Sequence, residues 1–223
     1  MLFKQRFGFS GTPSDLLPEE LGRCHYEKGS DAKMLHLLTN ESVTWYEHIG
    51  GAVGSERSWS VRNLLERVAL GGSGGEYGAT AYSALIDTGA LITGMSNYEV
   101  ACFLLNHGLK GKDGVVFLDE SDRKMIVVRR GFSVMKLAQC GVSLHRRFAF
   151  YDQIHTTGMD IKHVLDANAV ITLGKDMTFR DYAQGAFRMR GIGKGQKIVV
   201  YVIPEIKSLV DGVGASNGVG GAN

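Results

Sequence analysis

Gly114-Val115-Val116-Phe117-Leu118 is followed, across the polar stretch 119–124, by Met125-Ile126-Val127-Val128. A short run that is apolar at every position reads as a strand buried on both faces. The second run follows too closely for a helical crossover, so the two form a hairpin. Runs of the same kind recur at 83–87, 148–151, 169–173 and 197–203, and helical stripes fall at 97–106, 134–139, 179–189 and 205–210. Buried strands alternating with amphipathic helices predict an α/β fold: an open, mostly parallel sheet with helices on both faces.

Upstream, Leu64-Leu65-Glu66-Arg67-Val68 reads as one helical stripe, and Ser14-Asp15 caps a helix beginning near Leu16. Gly71-Gly72-Ser73-Gly74-Gly75 interrupts the pattern, and glycine recurs through the end of the chain. The expected organisation is an N-terminal region over 1–70 that ends a preceding lobe, a linker at 71–79, an α/β domain over 80–211 and a flexible tail at 212–223.

The 223 residues are 44% hydrophobic, enough for a real core, and the formal net charge of +2 announces no nucleic-acid partner. The basic pairs Arg123-Lys124, Arg129-Arg130 and Arg146-Arg147 lack interleaved aromatics and read as a solvated face, with a nucleic-acid groove as the weaker alternative. No apolar run approaches the roughly 20 residues that span a bilayer, so no membrane partner is expected. Met1 to Arg6 has no apolar core of a secretory signal. Cys24, Cys102 and Cys140 are odd in number and widely spaced, which predicts an intracellular setting without a disulfide framework. The histidines make no metal-ligand spacing.

The richest chemistry lies in His155-Thr156-Thr157-Gly158-Met159-Asp160-Ile161 and in 178–196. A small-residue turn after the strand at 148–151 lets backbone approach a phosphate or ribose, with Asp160 able to fix the turn or a partner lobe. Gln184 and Arg188 are four apart on an expected helix and share a face. A glutamine can orient water, and a guanidinium can stabilise charge spread over phosphoryl oxygens.

Gly158-Met159-Asp160-Ile161 with Gln184 and Arg188 resembles motifs V and VI of superfamily 2 helicases, a group that includes chromatin remodellers and the preprotein translocase motor. Ser10-Gly11-Thr12-Pro13 looks like the turn that closes the first lobe of several such motors. The resemblance implies a RecA-like second lobe, with Gly158 and Asp160 binding nucleotide and Gln184, Arg188, Arg190 and His155 in catalytic roles. Arg190 falls one position before the family's second arginine, and no G-x-x-x-x-G-K-[ST] loop is present. The chain alone is therefore expected to bind no cofactor; ATP and Mg²⁺ would be held only together with a missing first lobe, its expected partner.

A further resemblance rests on 84–92, 114–119, 151–158 and 188–196. These stretches look like the C-terminal part of a family of very large fungal and protist proteins grouped with ubiquitin thioesterases and labelled ubiquitinyl hydrolases. That similarity implies thiol-dependent hydrolysis of ubiquitin conjugates by the whole long protein. The residues themselves place no nucleophile here: Cys102 lies in an apolar helical stripe, and Cys24 and Cys140 have no evident orienting acid. The alternatives are a nucleic-acid or protein remodelling ATPase lobe with no protease activity, or an inactive scaffold domain. Asp119-Glu120-Ser121-Asp122 reads as an acidic turn after a strand rather than a metal-binding DExD, being out of order for one. A single Asp87-Thr88-Gly89 reads as a strand-end turn, because paired-carboxylate proteolysis needs two such turns.

Overall fold

A computed structural model describes residues 29–50, 59–72, 81–156 and 160–216. The expectations for Ser10 to Pro13, for a helix near Leu16, for Cys24 and for Gly158 lie outside these residues. The elements are α1 (Ser30–Thr39), β1 (Thr44–His48), α2 (Val61–Leu70), β2 (Ala84–Ile86), α3 (Asn97–His107), β3 (Gly114–Leu118), β4 (Lys124–Val128), β5 (Ser133–Lys136), β6 (Arg147–Tyr151), β7 (Asn168–Thr172), α4 (Phe179–Ala186), β8 (Lys197–Val202) and α5 (Pro204–Ser216). Short 3₁₀ turns occupy Leu137–Gln139, Leu144–Arg146, Ile154–Thr156 and Phe187–Met189.

The strands form one eight-stranded sheet in the order β1-β8-β7-β2-β6-β3-β4-β5. From β1 to β3 every neighbour is parallel; β3-β4 and β4-β5 are antiparallel. This is the expected α/β class, with the hairpin after Leu118 where the short connection requires it. Val115, Phe117, Phe148, Phe150, Val170 and Val199 point to a core shared with α2, α3 and α5. Their neighbours Val116, Ala149, Tyr151, Ala169, Ile171 and Ile198 point to the opposite core, shared with α1 and α4. Successive strand residues face opposite ways, so uninterrupted apolar strands need helices on both sides.

Three of the helices, α2, α3 and α4, start where a side chain satisfies free backbone N–H groups. Ser96 and Glu99 cap α3 reciprocally, Thr178 and Asp181 do the same for α4, and the Ser60 hydroxyl accepts from Asn63 N–H at the start of α2. The other end of α3 is closed from outside the helix. Arg129 donates to the carbonyls of Leu105 (2.6 Å), Gly108 (2.8 Å), Leu109 (3.0 Å) and Lys112 (3.0 Å).

Three expectations are corrected. The stripe at 134–139 is not helical: Ser133–Lys136 is an edge strand, followed by a 3₁₀ turn. The strand pairs with β4, and edge pairing overrides an ambiguous apolar period. The helix expected over 179–189 ends at Ala186 and tightens into a 3₁₀ turn, because Arg190 adopts a left-handed conformation (φ 59°) that no α-helix continues through. The region before the glycine break is built into the sheet: β1 lies beside β8, and α2 packs on the same core as α3.

Candidate functional site

Parallel strands bring their carboxyl ends to one edge, where the loops after β2, β3, β6 and β7 gather. The chain leaves β2 through α3 on one face and reaches β3; it leaves β7 through α4 on the other face and reaches β8. The connections therefore diverge at the β2/β7 boundary. Open α/β sheets offer a crevice at such a reversal, outside the carboxyl ends of the strands.

A crevice of about 430 Å³ is found there, bordered by Thr88, Gly89, Ala90, Gln153, Thr156, Gly174–Met177, Asp181 and Gln184. Its floor is backbone. A Cβ on Gly89 would sit 2.5 Å from the Leu173 carbonyl carbon, and one on Gly174 would sit 2.5 Å from Gly89 O. Thr172, fully buried, ties the two strand ends: its hydroxyl donates to Asp87 Oδ1 (2.7 Å) and accepts from Gly89 N–H (3.0 Å). Asp87 Oδ1 also accepts from Leu91 N–H (3.0 Å) and Oδ2 from Ile92 N–H (2.9 Å). Burial pushes the Asp87 carboxyl above its ordinary value, against the hydrogen bonds from Thr172, Ile92 and Leu91. The D-T-G aspartate is thus the organiser of a strand-end turn, as the sequence indicates.

Gln184 projects from α4 into this crevice. Arg188 does not border it. The residue sits half-buried in the 3₁₀ turn after α4, where burial, then the charge of Arg190, hold its pKa below the usual arginine range. Four residues separate Gln184 from Arg188, but the tightened turn between them rotates the second away from the α-helical face they were expected to share. Asp160 pairs with Arg190 (Oδ1 to Nε, 3.3 Å), and its carbonyl accepts from Lys124 Nζ. These groups meet near Tyr151, whose hydroxyl lies 2.9 Å from His163 Nε2. Burial holds His163 neutral, its pKa lowered to about 4.

His155 lies elsewhere, beside a larger cavity of about 650 Å³ between the ends of β3 and β6 and the start of α3. The imidazole is buried, with Nδ1 on Asp152 Oδ1 and Nε2 2.8 Å from Asp122 Oδ1. Asn97 fixes Asp152 from behind, donating to its Oδ2 (3.0 Å) and to Leu118 O (2.9 Å). Burial alone would lower the histidine pKa; hydrogen bonds to Asp122 and Asp152, with their charges, outweigh it and raise the pKa above the ordinary value. Asp122 itself sits in the β3–β4 turn at φ 57°, a conformation aspartate tolerates better than most residues. The rest of that turn is closed by Asp119, which accepts from Ser121 and Arg123 N–H and pairs with the Arg123 guanidinium.

The sequence points to His155 but not to its partners. Asp152, three residues earlier in the same turn, was discoverable from spacing; Asp122, in another loop, was not. The last of the basic pairs is engaged at home: Arg146 binds Asp113, and Arg147 donates to the carbonyls of Val142 (2.8 Å) and Cys140 (3.4 Å). Cys102 is half-buried against the core beside Tyr98, and Cys140 Sγ accepts from Val142 N–H at 3.5 Å. Among the described residues no His, Cys, Asp and Glu grouping could hold a metal ion, and no helix is long and apolar enough to cross a membrane.

Fold and site define a doubly covered, mostly parallel α/β sheet with a crevice at its strand-order reversal. Comparison of the chain with protein-family models, curated proteins and solved structures finds no match.

Proposed function

We propose that this chain is the RecA-like second lobe of a two-lobed, nucleotide-driven motor, belonging to a longer protein of the ubiquitinyl-hydrolase-labelled class. The observation that carries the reading is Gln184, on α4, bordering the crevice at the strand-order reversal beside the bare backbones of Gly89 and Gly174. A glutamine at that place can orient water. Arg188 and Arg190 follow four and six positions later, outside the crevice, and would reach a phosphoryl group only when a first lobe brings the nucleotide and its Mg²⁺ and reorders the turn after α4. The missing phosphate-cradling loop makes this half a site.

Thiol hydrolysis of ubiquitin conjugates, where the longer protein performs it, is assigned to residues outside this chain. Tyr98, not an imidazole, is the neighbour of Cys102, and Cys140 is engaged by a backbone N–H. An activated ubiquitin probe is expected to leave both cysteines unlabelled.

The decisive experiment uses the longer protein. Gln184→Ala should lower its ATPase kcat by about 10²-fold and Arg188→Ala by about 10³-fold, while the isolated 223-residue chain shows no micromolar ATP binding by calorimetry. Unchanged turnover in both variants would leave a scaffold, and micromolar affinity of the isolated chain would mean that the phosphate site has been misassigned.

A further inference from the structure

His155 is held in a way that only one protonation state satisfies. Carboxylates accept hydrogen bonds, so with Asp152 on Nδ1 and Asp122 on Nε2 both ring nitrogens must donate, and only the imidazolium carries two N–H groups. A neutral ring keeps one. The two acceptors are unequal. Asp152 is largely buried, anchored by Asn97 and by the backbone N–H of His155, so its bond is the one retained. The Asp122 side chain is 74% exposed and makes no other hydrogen bond among the described residues. Once the proton leaves, the Nε2 lone pair faces a carboxylate that has water as an alternative.

We propose that Asp152, His155 and Asp122 form a proton-operated clamp that fastens the β3–β4 turn across the cavity between β3 and β6 and releases it when the imidazolium is deprotonated. The clamp joins segments that the backbone does not: β3 and β6 are paired only from Gly114 to Val116, at the opposite end of β3. Release frees the turn from the loop after β6 and widens the entrance to the apolar surfaces of Tyr98, Phe117 and Ile154. The charged and titratable groups around the ring come from every neighbouring loop. The turn contributes Asp119, Glu120, Asp122 and Arg123, the start of α3 contributes Tyr98 and Glu99, and Asp152 with Asp87 lies at the ends of β6 and β2. Asp119 is matched by Arg123, which leaves Asp122 and Asp152 as the carboxylates that grip the ring.

The direction of the response follows from the raised histidine pKa. Protonation is favoured by the fold, so the clamp is closed below the ordinary histidine value of 6.5 and lets go as pH rises through the higher folded value. The clamp requires neither nucleotide nor a first lobe, so its failure and the failure of the motor reading are separate outcomes.

The test is an NMR titration of the imidazoles of the 223-residue chain, with amide exchange followed over 119–124 and corrected for intrinsic pH dependence. In the wild type, protection in the turn should fall several-fold as His155 loses its proton. Asp122→Asn should move the His155 midpoint down and make turn exchange independent of it. Asp152→Asn should move the midpoint as well. The buried His163 reports whether each variant keeps its fold, because its low midpoint survives only in the packed core. A His155 midpoint unmoved by Asp122→Asn in a folded variant, or turn protection flat across the wild-type titration, would overturn the proposal.

Discussion

The crevice at β2/β7 and the cavity at β3/β6 open on the same edge of one sheet, yet they are held by different forces. The crevice is shaped by contact: Gly89 and Gly174 lie backbone to backbone, and the Thr172 hydroxyl spans the strand ends. The cavity is shaped by charge, with an imidazole held between two carboxylates. Backbone contact of the first kind is rigid and indifferent to salt, and only the Asp87 carboxyl behind it titrates; the second kind responds directly to salt and to proton concentration. A site that must position a reacting group precisely belongs on the first, and a movable rim belongs on the second.

The largest effect should come from crowding the crevice. Gly89→Ala drives a methyl into the Leu173 peptide and should cost about 3 kcal/mol of stability, the same at every pH, read by chemical denaturation. A loss below about 1 kcal/mol would show that the two loops can part, erasing the contrast in rigidity.

Thr172→Val tests the tie itself. With the isosteric swap, the Gly89 N–H and one Asp87 lone pair lose a buried partner, for about 2 kcal/mol. The loss should grow above the raised pKa of Asp87, where the carboxylate must be carried without that donor.

The smallest effects separate the two histidines by sign. His155, with its raised pKa, adds stability that is complete below 6.5 and fades as pH rises. His163, lowered to about 4, resists protonation, so the fold loses stability as pH falls from 6.5 toward that value. Denaturation curves across pH for His155→Gln and His163→Gln should therefore change slope in opposite directions. Parallel changes would show that charge does not distinguish the two environments.

Much of this architecture can be read from the chain. Gly114–Leu118 was legible to the residue because a strand covered on both faces has no polar position to blur its ends. Thr44–His48 does not declare itself because it lies at the sheet edge, where alternate residues meet water and the run no longer looks apolar. Val134 to Gln139 misled for the related reason that a short exposed edge strand has too few buried positions to declare its period. Gln184 could be picked out because helix and spacing are local properties. The partner of His155 could not, since Asp122 stands 33 positions away and only the sheet brings it near.

The place of β1 has a consequence for how the molecule is made. Its partner, β8, is the last strand among the described residues, and Thr44 lies opposite Ile198. On an elongating polypeptide, β1 is synthesised early and then waits for most of the domain to follow before its backbone groups find a ladder. Such long-range pairing slows folding and leaves an open strand edge in the interim, an opportunity for association with other nascent chains. A premature stop before residue 197 would therefore disable two strands, the one never translated and the one already made.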